Sequence, residues 1–103
     1  AAAINFPDVL IIEDKYQFKP PRPFAPGGEI AGEVLAVGAG VTGWAPGDRL
    51  ISVPGWGGLS EQMVIPAASA FRLPASRSFT EGAALLLTYA TSIHALWDRG
   101  QLK

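Results

Sequence analysis

The sequence contains no cysteine and only one histidine in its 103 residues. Without cysteine the chain forms no disulfide bond and no thiolate metal site, and this composition favours a cytoplasmic protein. Charged residues are also few, at 17% of the chain with a net charge of −1. The basic residues Lys15, Lys19 and Arg22 form only a loose group among prolines, so we do not expect nucleic-acid binding, which needs concentrated positive charge.

Long hydrophobic runs are absent as well. The longest apolar stretch, residues 83–97, is interrupted by polar side chains. It is also shorter than the roughly 20 apolar residues that a bilayer-spanning helix requires. We therefore expect no membrane partner and interpret this stretch as a helix of a water-soluble fold.

Glycine and proline are plentiful, with 12 and 9 residues respectively. The prolines argue against long helices before about residue 79, so the first two thirds of the chain should be mainly β structure. A chain of this length can bury one core but not two, which predicts a single domain core.

The local patterns predict individual elements. Asn5 can cap a short helix over residues 7–12, with Pro7 in its first turn and Asp8 near its positive end. Ala1–Ile4 is typical of the end of a strand. Further strands are predicted over residues 30–37, 49–53, 60–65 and 70–73. A helix is predicted from Thr80 to Gly100, because its apolar positions follow helical spacing.

The most informative motif is the glycine-studded run from Pro26-Gly27-Gly28-Glu29 to Gly38-Ala39-Gly40-Val41, followed by the turn Gly47-Asp48-Arg49-Leu50. This order resembles the medium-chain dehydrogenase/reductase superfamily, whose catalytic domain has a GHE-type turn, a G-x-V-x-x-V-G-x-x-V strand and a G-D-R-V turn. Asn5-Phe6-Pro7-Asp8 and Leu87-Thr88-Tyr89 with the following residues are similar to the NFPD and VTYLTAYHAL segments of its quinone oxidoreductase branch.

The resemblance implies both a fold and an activity. It implies a mainly β, GroES-like, partly open β-barrel over residues 1–79 that lacks its first strands. Residues 80–103 would then be a helical segment leading toward a Rossmann domain that the chain does not contain. The parent protein would be a zinc-independent, NADPH-dependent oxidoreductase, and a homodimer, that reduces quinones or activated alkenes by hydride transfer; the isolated chain would be inactive.

Two alternatives stay open beside that interpretation. One is an enoyl thioester (acyl-CoA) reductase of the same superfamily. The other is a non-catalytic β-barrel module that takes part in interactions. The coding sequence beyond Lys103 would separate the module from the enzyme, because the resembled enzymes continue into a strand and a Gly-rich dinucleotide-binding turn.

The resemblance also bears on metal binding. Zinc-dependent members of the superfamily hold a catalytic metal with side chains at the positions of Asn5, Gly28 and Leu87. Glycine and leucine have no metal-binding side chain and a lone amide is a poor zinc ligand, so we expect no metal site. Glu29 is similar to the superfamily's glutamate behind the metal, and without a metal its role is left open.

The candidate site residues follow from the same comparison. The resemblance implies catalytic roles for Asn5 and Tyr16, and cofactor-binding roles for Asn5, Asp8, Thr88 and Thr91. The residues themselves allow simpler interpretations: a helix cap, a surface tyrosine, a carboxylate at a helix N-terminus, and threonines bonded back to the preceding turn.

His94 is not counted among the candidate site residues. It stands four residues before Asp98, where an ordinary i, i+4 pair on a helix accounts for it.

Overall fold

The computed structural model describes residues 1–103, and its centre is a four-stranded antiparallel sheet. The strands follow the order β1-β2-β3-β4, so each strand pairs with its neighbour in sequence. Their bounds are β1 Ala2–Ala3, β2 Glu29–Glu33, β3 Arg49–Ser52 and β4 Ala70–Arg72. The mainly β fold with short helices that we predicted is therefore confirmed, and its strands pair antiparallel.

The register of the sheet places the core on one face. Ala31 lies opposite Ile51 in the β2–β3 pair, and successive residues of a strand point to opposite faces. Ala31 and Ile51 form a buried cluster with Leu73 and Ala83. The second of two short helices, α2 (Phe79–Ala83), packs across this face and contacts β1, β2 and β3.

Both short helices begin at residues that satisfy their free N–H groups. The first, α1, spans Phe6–Ile12 with Asn5 at its N-cap, as predicted. In α2, the Ser78 hydroxyl accepts from the Glu81 N–H and the Glu81 carboxylate accepts from the Ser78 N–H, which is a capping box. The helix therefore begins one residue before the predicted Thr80.

A helical segment follows α2 after a turn at Ala84 and Leu85. It consists of π-helical residues Leu86–Ala90, one α-helical turn at Thr91–Ile93, and π-helical residues His94–Arg99. We call residues 86–99 the C-terminal segment. The prediction of one continuous helix from residue 80 is thus wrong, because a turn separates α2 from the C-terminal segment. The helical structure does end at Gly100, as predicted.

The C-terminal segment leaves large apolar side chains uncovered. Counted with Leu85 of the preceding turn, these side chains are between 42% and 70% exposed and recur at helical spacing: Leu85, Tyr89, Ile93, Leu96 and Trp97. None of the helices combines the length and apolar character that crossing a bilayer would require.

The opposite face of the sheet borders an open apolar groove of about 550 Å³. Ile30, Leu50 and Gly58 line the groove together with residues 60–65. Residues 60–65 were predicted as a strand, and this is wrong because no neighbouring strand pairs with them; Val64 is 97% exposed. The predicted strand 30–37 is shorter than expected, since its pairing with β3 ends at Glu33.

Candidate functional site

The candidate site begins at Asn5, which lies between β1 and α1. Its backbone is extended, with φ of −120°, and the helix starts at the next residue. The side-chain amide nitrogen Nδ2 donates to Oε2 of Glu29 at 3.0 Å. Because Glu29 is the first residue of β2, this hydrogen bond fixes the loop before α1 to the sheet.

Glu29 is completely buried and uses both carboxylate oxygens. Oε2 accepts from Asn5, and Oε1 accepts from the backbone N–H of Leu87 at 2.9 Å. Leu87 lies 58 residues farther along the chain, at the start of the C-terminal segment. One carboxylate therefore joins the N-terminal loop, the sheet and the C-terminal segment at a single point.

The Glu29 carboxylate brings together the three positions at which the resemblance would place zinc ligands. Asn5 and Leu87 share the Glu29 carboxylate, and Gly28 is its neighbour in sequence. The residues present do not fit a catalytic zinc, since only one of the three positions carries a polar side chain, and that one is an amide. Nowhere in the chain do three His, Cys, Asp or Glu side chains cluster in a way that could hold a metal ion.

Asp8 holds two backbone segments of the site through its carboxylate. Its Oδ2 accepts from the Asn5 backbone N–H at 2.7 Å, and its Oδ1 accepts from the Gly27 N–H at 3.2 Å. The side chain is only 3% exposed. Asp8 thus complements the N-terminus of α1 and ties the loop at Gly27 to it, while its proposed contact with a cofactor stays a prediction.

Gly28 leaves little room beside Asp8. A Cβ at this position would lie 3.1 Å from the Gly55 carbonyl oxygen and 3.3 Å from Oδ1 of Asp8. The Gly55 N–H also donates to the Gly28 carbonyl at 3.2 Å. The absence of a side chain at Gly28 lets the loops at residues 27–28 and 55 pack together directly behind Asn5.

Tyr16 lies on the proline-rich loop that follows α1. Its half-buried ring meets the edge of Phe18 with 5.3 Å between centroids, and Phe18 rests against Gly55. The phenolic hydroxyl makes no hydrogen bond within the chain, so it is free to bind a ligand atom. Through Phe18 and Gly55 this loop reaches the segment behind Gly28, and the catalytic role of Tyr16 stays a prediction.

Thr88 and Thr91 are exposed on the C-terminal segment. The Thr88 hydroxyl donates to the Ala84 carbonyl at 2.8 Å, and the Thr91 hydroxyl donates to the Leu87 carbonyl. Both hydroxyl donors are therefore used by carbonyls four residues earlier in the chain, while each hydroxyl oxygen keeps lone pairs that can accept a hydrogen bond. Thr88 directly follows Leu87 and so stands beside the Glu29 contact; the proposed cofactor roles of both threonines stay predictions.

His94 and Asp98 form the predicted pair, with 2.8 Å between Nδ1 and Oδ2. Both side chains are exposed, and neither takes part in the arrangement around Glu29. Sequence reasoning left the role of Glu29 open, although one signal was present: an acidic residue at the start of a buried strand needs hydrogen-bond partners.

Comparison with known proteins identifies the fold family. The family model described as the alcohol dehydrogenase GroES-like domain matches residues 1–75. The chain belongs to this family. The chain is 43% identical over 104 residues to a quinone oxidoreductase-like protein 2 homolog of Nematostella vectensis, and 39% identical over 103 residues to the synaptic vesicle membrane protein VAT-1 homolog of Rattus norvegicus.

A solved structure supports the same assignment. A probable oxidoreductase from Mycobacterium abscessus superimposes on 99% of the chain with a TM-score of 0.91 and 35% sequence identity. The chain covers 33% of that protein, and it covers 28% and 26% of the two curated relatives, each of which matches it from end to end. The chain thus spans between a quarter and a third of the length of these three proteins.

Proposed function

We propose that this GroES-like domain is the substrate-side part of a zinc-independent oxidoreductase that reduces quinones or activated alkenes with NADPH. The observation that carries the proposal is the Glu29 carboxylate, which brings Asn5 and the start of the C-terminal segment together where zinc-dependent relatives would place a metal. The similarity of the chain to a quinone oxidoreductase-like protein and to a probable oxidoreductase supports the same class of reaction.

The polar groups of this site suit a reaction that needs orientation and hydrogen-bond donors. When bound, a nicotinamide supplies the hydride. Asn5 keeps one side-chain N–H that Glu29 does not use, and Tyr16 keeps its hydroxyl, so both can donate to a carbonyl oxygen. Such donors stabilise the negative charge that develops on the oxygen of a quinone or enone during reduction.

The cofactor contacts proposed for this chain are few and involve only the nicotinamide end of the cofactor. Asn5, Thr88 and Thr91 would hold the nicotinamide and its ribose through hydrogen bonds. The residues that would bind the pyrophosphate and select NADPH over NADH belong to a dinucleotide-binding domain outside this sequence. The proposal therefore concerns a full-length protein that carries this chain.

Substrate profiling of that full-length protein tests the proposal. NADPH oxidation would be followed with a set of quinones, enones and enoyl thioesters, first with the wild type and then with Tyr16→Phe and Asn5→Ser. We expect turnover with quinones or enones that both substitutions lower. Turnover only with enoyl thioesters would favour the acyl-CoA reductase alternative, and no turnover with any acceptor would favour the non-catalytic module.

A further inference from the structure

The hydrogen bond between Asn5 and Glu29 fixes which atoms of the Asn5 amide face which way. A carboxylate only accepts hydrogen bonds, whereas an amide carries two N–H donors on nitrogen and one acceptor oxygen. Oε2 of Glu29 can therefore be satisfied only by the Nδ2 side of Asn5. The amide oxygen accepts no hydrogen bond within the chain, since the N–H of Asp8 donates to the backbone carbonyl of Asn5 at 3.0 Å.

Glu29 is itself held in one orientation. Its Oε1 accepts from the backbone N–H of Leu87, a donor whose direction is set by the C-terminal segment. With no exposed surface, the carboxylate has no water to replace either partner. The direction of the Asn5 amide is thus determined by a backbone group 58 residues beyond Glu29.

We infer that Glu29 is a positioning residue that fixes the rotation of the Asn5 amide, so that Asn5 offers its second N–H to the ligand as a hydrogen-bond donor. This inference rests on the proposed function, since the ligand would be a carbonyl or hydroxyl oxygen of the substrate or of the cofactor ribose. The positioning role of Glu29 does not require a metal.

Moving the amide to position 29 and the carboxylate to position 5 tests the inference in the full-length protein. In Glu29→Gln, the Leu87 N–H donates to the glutamine oxygen, so the glutamine nitrogen faces Asn5. Because that nitrogen is a donor, the Asn5 amide must rotate so that its oxygen faces position 29. In Asn5→Asp with Glu29→Gln, the aspartate carboxylate accepts from that glutamine nitrogen. The double variant keeps the net charge and both hydrogen bonds at position 29, but the side chain at position 5 no longer has a donor.

The expected pattern separates positioning from mere stability. Asn5→Asp alone should lower the melting temperature most, because it places two carboxylates face to face. The double variant should recover most of the wild-type melting temperature. Its kcat with a quinone, and that of Glu29→Gln, should stay about tenfold below wild type, the effect of one lost hydrogen bond in the reacting complex.

Two kinetic results would overturn the inference: wild-type kcat in the double variant, or unchanged kcat in Glu29→Gln. A double variant less stable than Asn5→Asp alone would also overturn it, since the described hydrogen bonds would then be absent.

A second measurement separates this inference from the proposed function. Asn5 is the only asparagine of the chain, and its side-chain amide signal can be assigned by its loss in Asn5→Ser. One of its two amide hydrogens should exchange slowly in the wild type and both should exchange fast in Glu29→Gln. Equal, fast exchange in the wild type would overturn the positioning role. Slow exchange without any NADPH-dependent turnover would retain that role and reject the proposed function.

Discussion

The side-chain amide of Asn5 donates to the buried carboxylate of Glu29 at 3.0 Å, across 24 residues of sequence. The same carboxylate accepts the N–H of Leu87, so one acidic group connects the N-terminal loop with the C-terminal segment. A buried charge is stable only when its hydrogen-bonding capacity is met. The geometry of the candidate site and the stability of the fold therefore depend on the same two residues.

Replacing Asn5 with alanine should destabilise the protein. The change leaves Oε2 of Glu29 without its partner inside the protein, which costs about 2 kcal/mol for a buried charged acceptor. Chemical denaturation measures the loss. Gln17→Ala is the matched control, since it removes an exposed amide and should change the free energy of unfolding by less than about 0.5 kcal/mol. Equal effects of the two substitutions would mean that the Asn5–Glu29 bond is absent.

The fold of the first half was largely predictable because its signals are local. Asn5, Pro7 and Asp8 stand at defined positions of a helix start, and Gly47-Asp48 marks a turn between two strands. Residues 60–65 show where local signals fail: a segment that ends in the apolar residues Met63-Val64-Ile65 forms a strand only if a neighbouring strand offers free backbone groups. The sequence of this segment holds no information about that neighbour.

Gly58 is expected to be the glycine that least tolerates a side chain. A Cβ there would lie 2.6 Å from Cγ2 of Ile30 and 2.8 Å from the Gly27 carbonyl oxygen. Gly58→Ala should therefore cost about 1–3 kcal/mol through overpacking. Gly32→Ala is the control, because no atom lies within 4 Å of its added Cβ. Thermal unfolding of both variants checks this, and a Gly58→Ala protein as stable as Gly32→Ala would show that the loop does not pack against Ile30.

Tyr16→Phe should separate activity from stability. The phenolic hydroxyl makes no hydrogen bond in the chain, and the ring contact with Phe18 at 5.3 Å is kept by phenylalanine. The melting temperature should thus stay unchanged, while turnover of the full-length protein with a quinone falls about tenfold if the hydroxyl donates in the reacting complex. Unchanged turnover would remove Tyr16 from the site and return it to the role of a surface tyrosine.

The capping box of α2 should make stability depend on pH in the acid range. The backbone N–H of Ser78, at 2.8 Å, and then its hydroxyl lower the pKa of Glu81 from its ordinary value of 4.5. A lowered pKa stabilises the folded state above pH 4.5, and this contribution is lost as the pH falls through the folded value. The melting-temperature gap between wild type and Glu81→Gln should therefore shrink from pH 7 toward pH 3.

A control distinguishes this effect from general acid sensitivity. Glu61 is exposed and accepts no hydrogen bond within the chain, so Glu61→Gln should show no comparable gap at any pH. A gap for Glu81→Gln that stays constant with pH would contradict the assigned role of the capping box.

The candidate site was less predictable than the fold. The positions of Asn5, Gly28 and Leu87 were chosen from a resemblance, and the structure places all three around one carboxylate. The link between them could not be predicted, because it depends on a backbone N–H that becomes available only where the predicted single helix breaks after Ala83. The residue types alone predict that Thr88 and Thr91 hydrogen-bond to carbonyls of the preceding turn, and the structure contains these hydrogen bonds.

The most direct test of the central claim is the rate of NADPH-dependent quinone reduction by the full-length protein before and after complete metal removal, with metal content determined by elemental analysis. Since Asn5, Gly28 and Leu87 offer no zinc ligand set, the rate should be the same in both samples and no stoichiometric zinc should be found. One zinc per chain, with a rate that is lost on chelation and restored by zinc, would contradict the account.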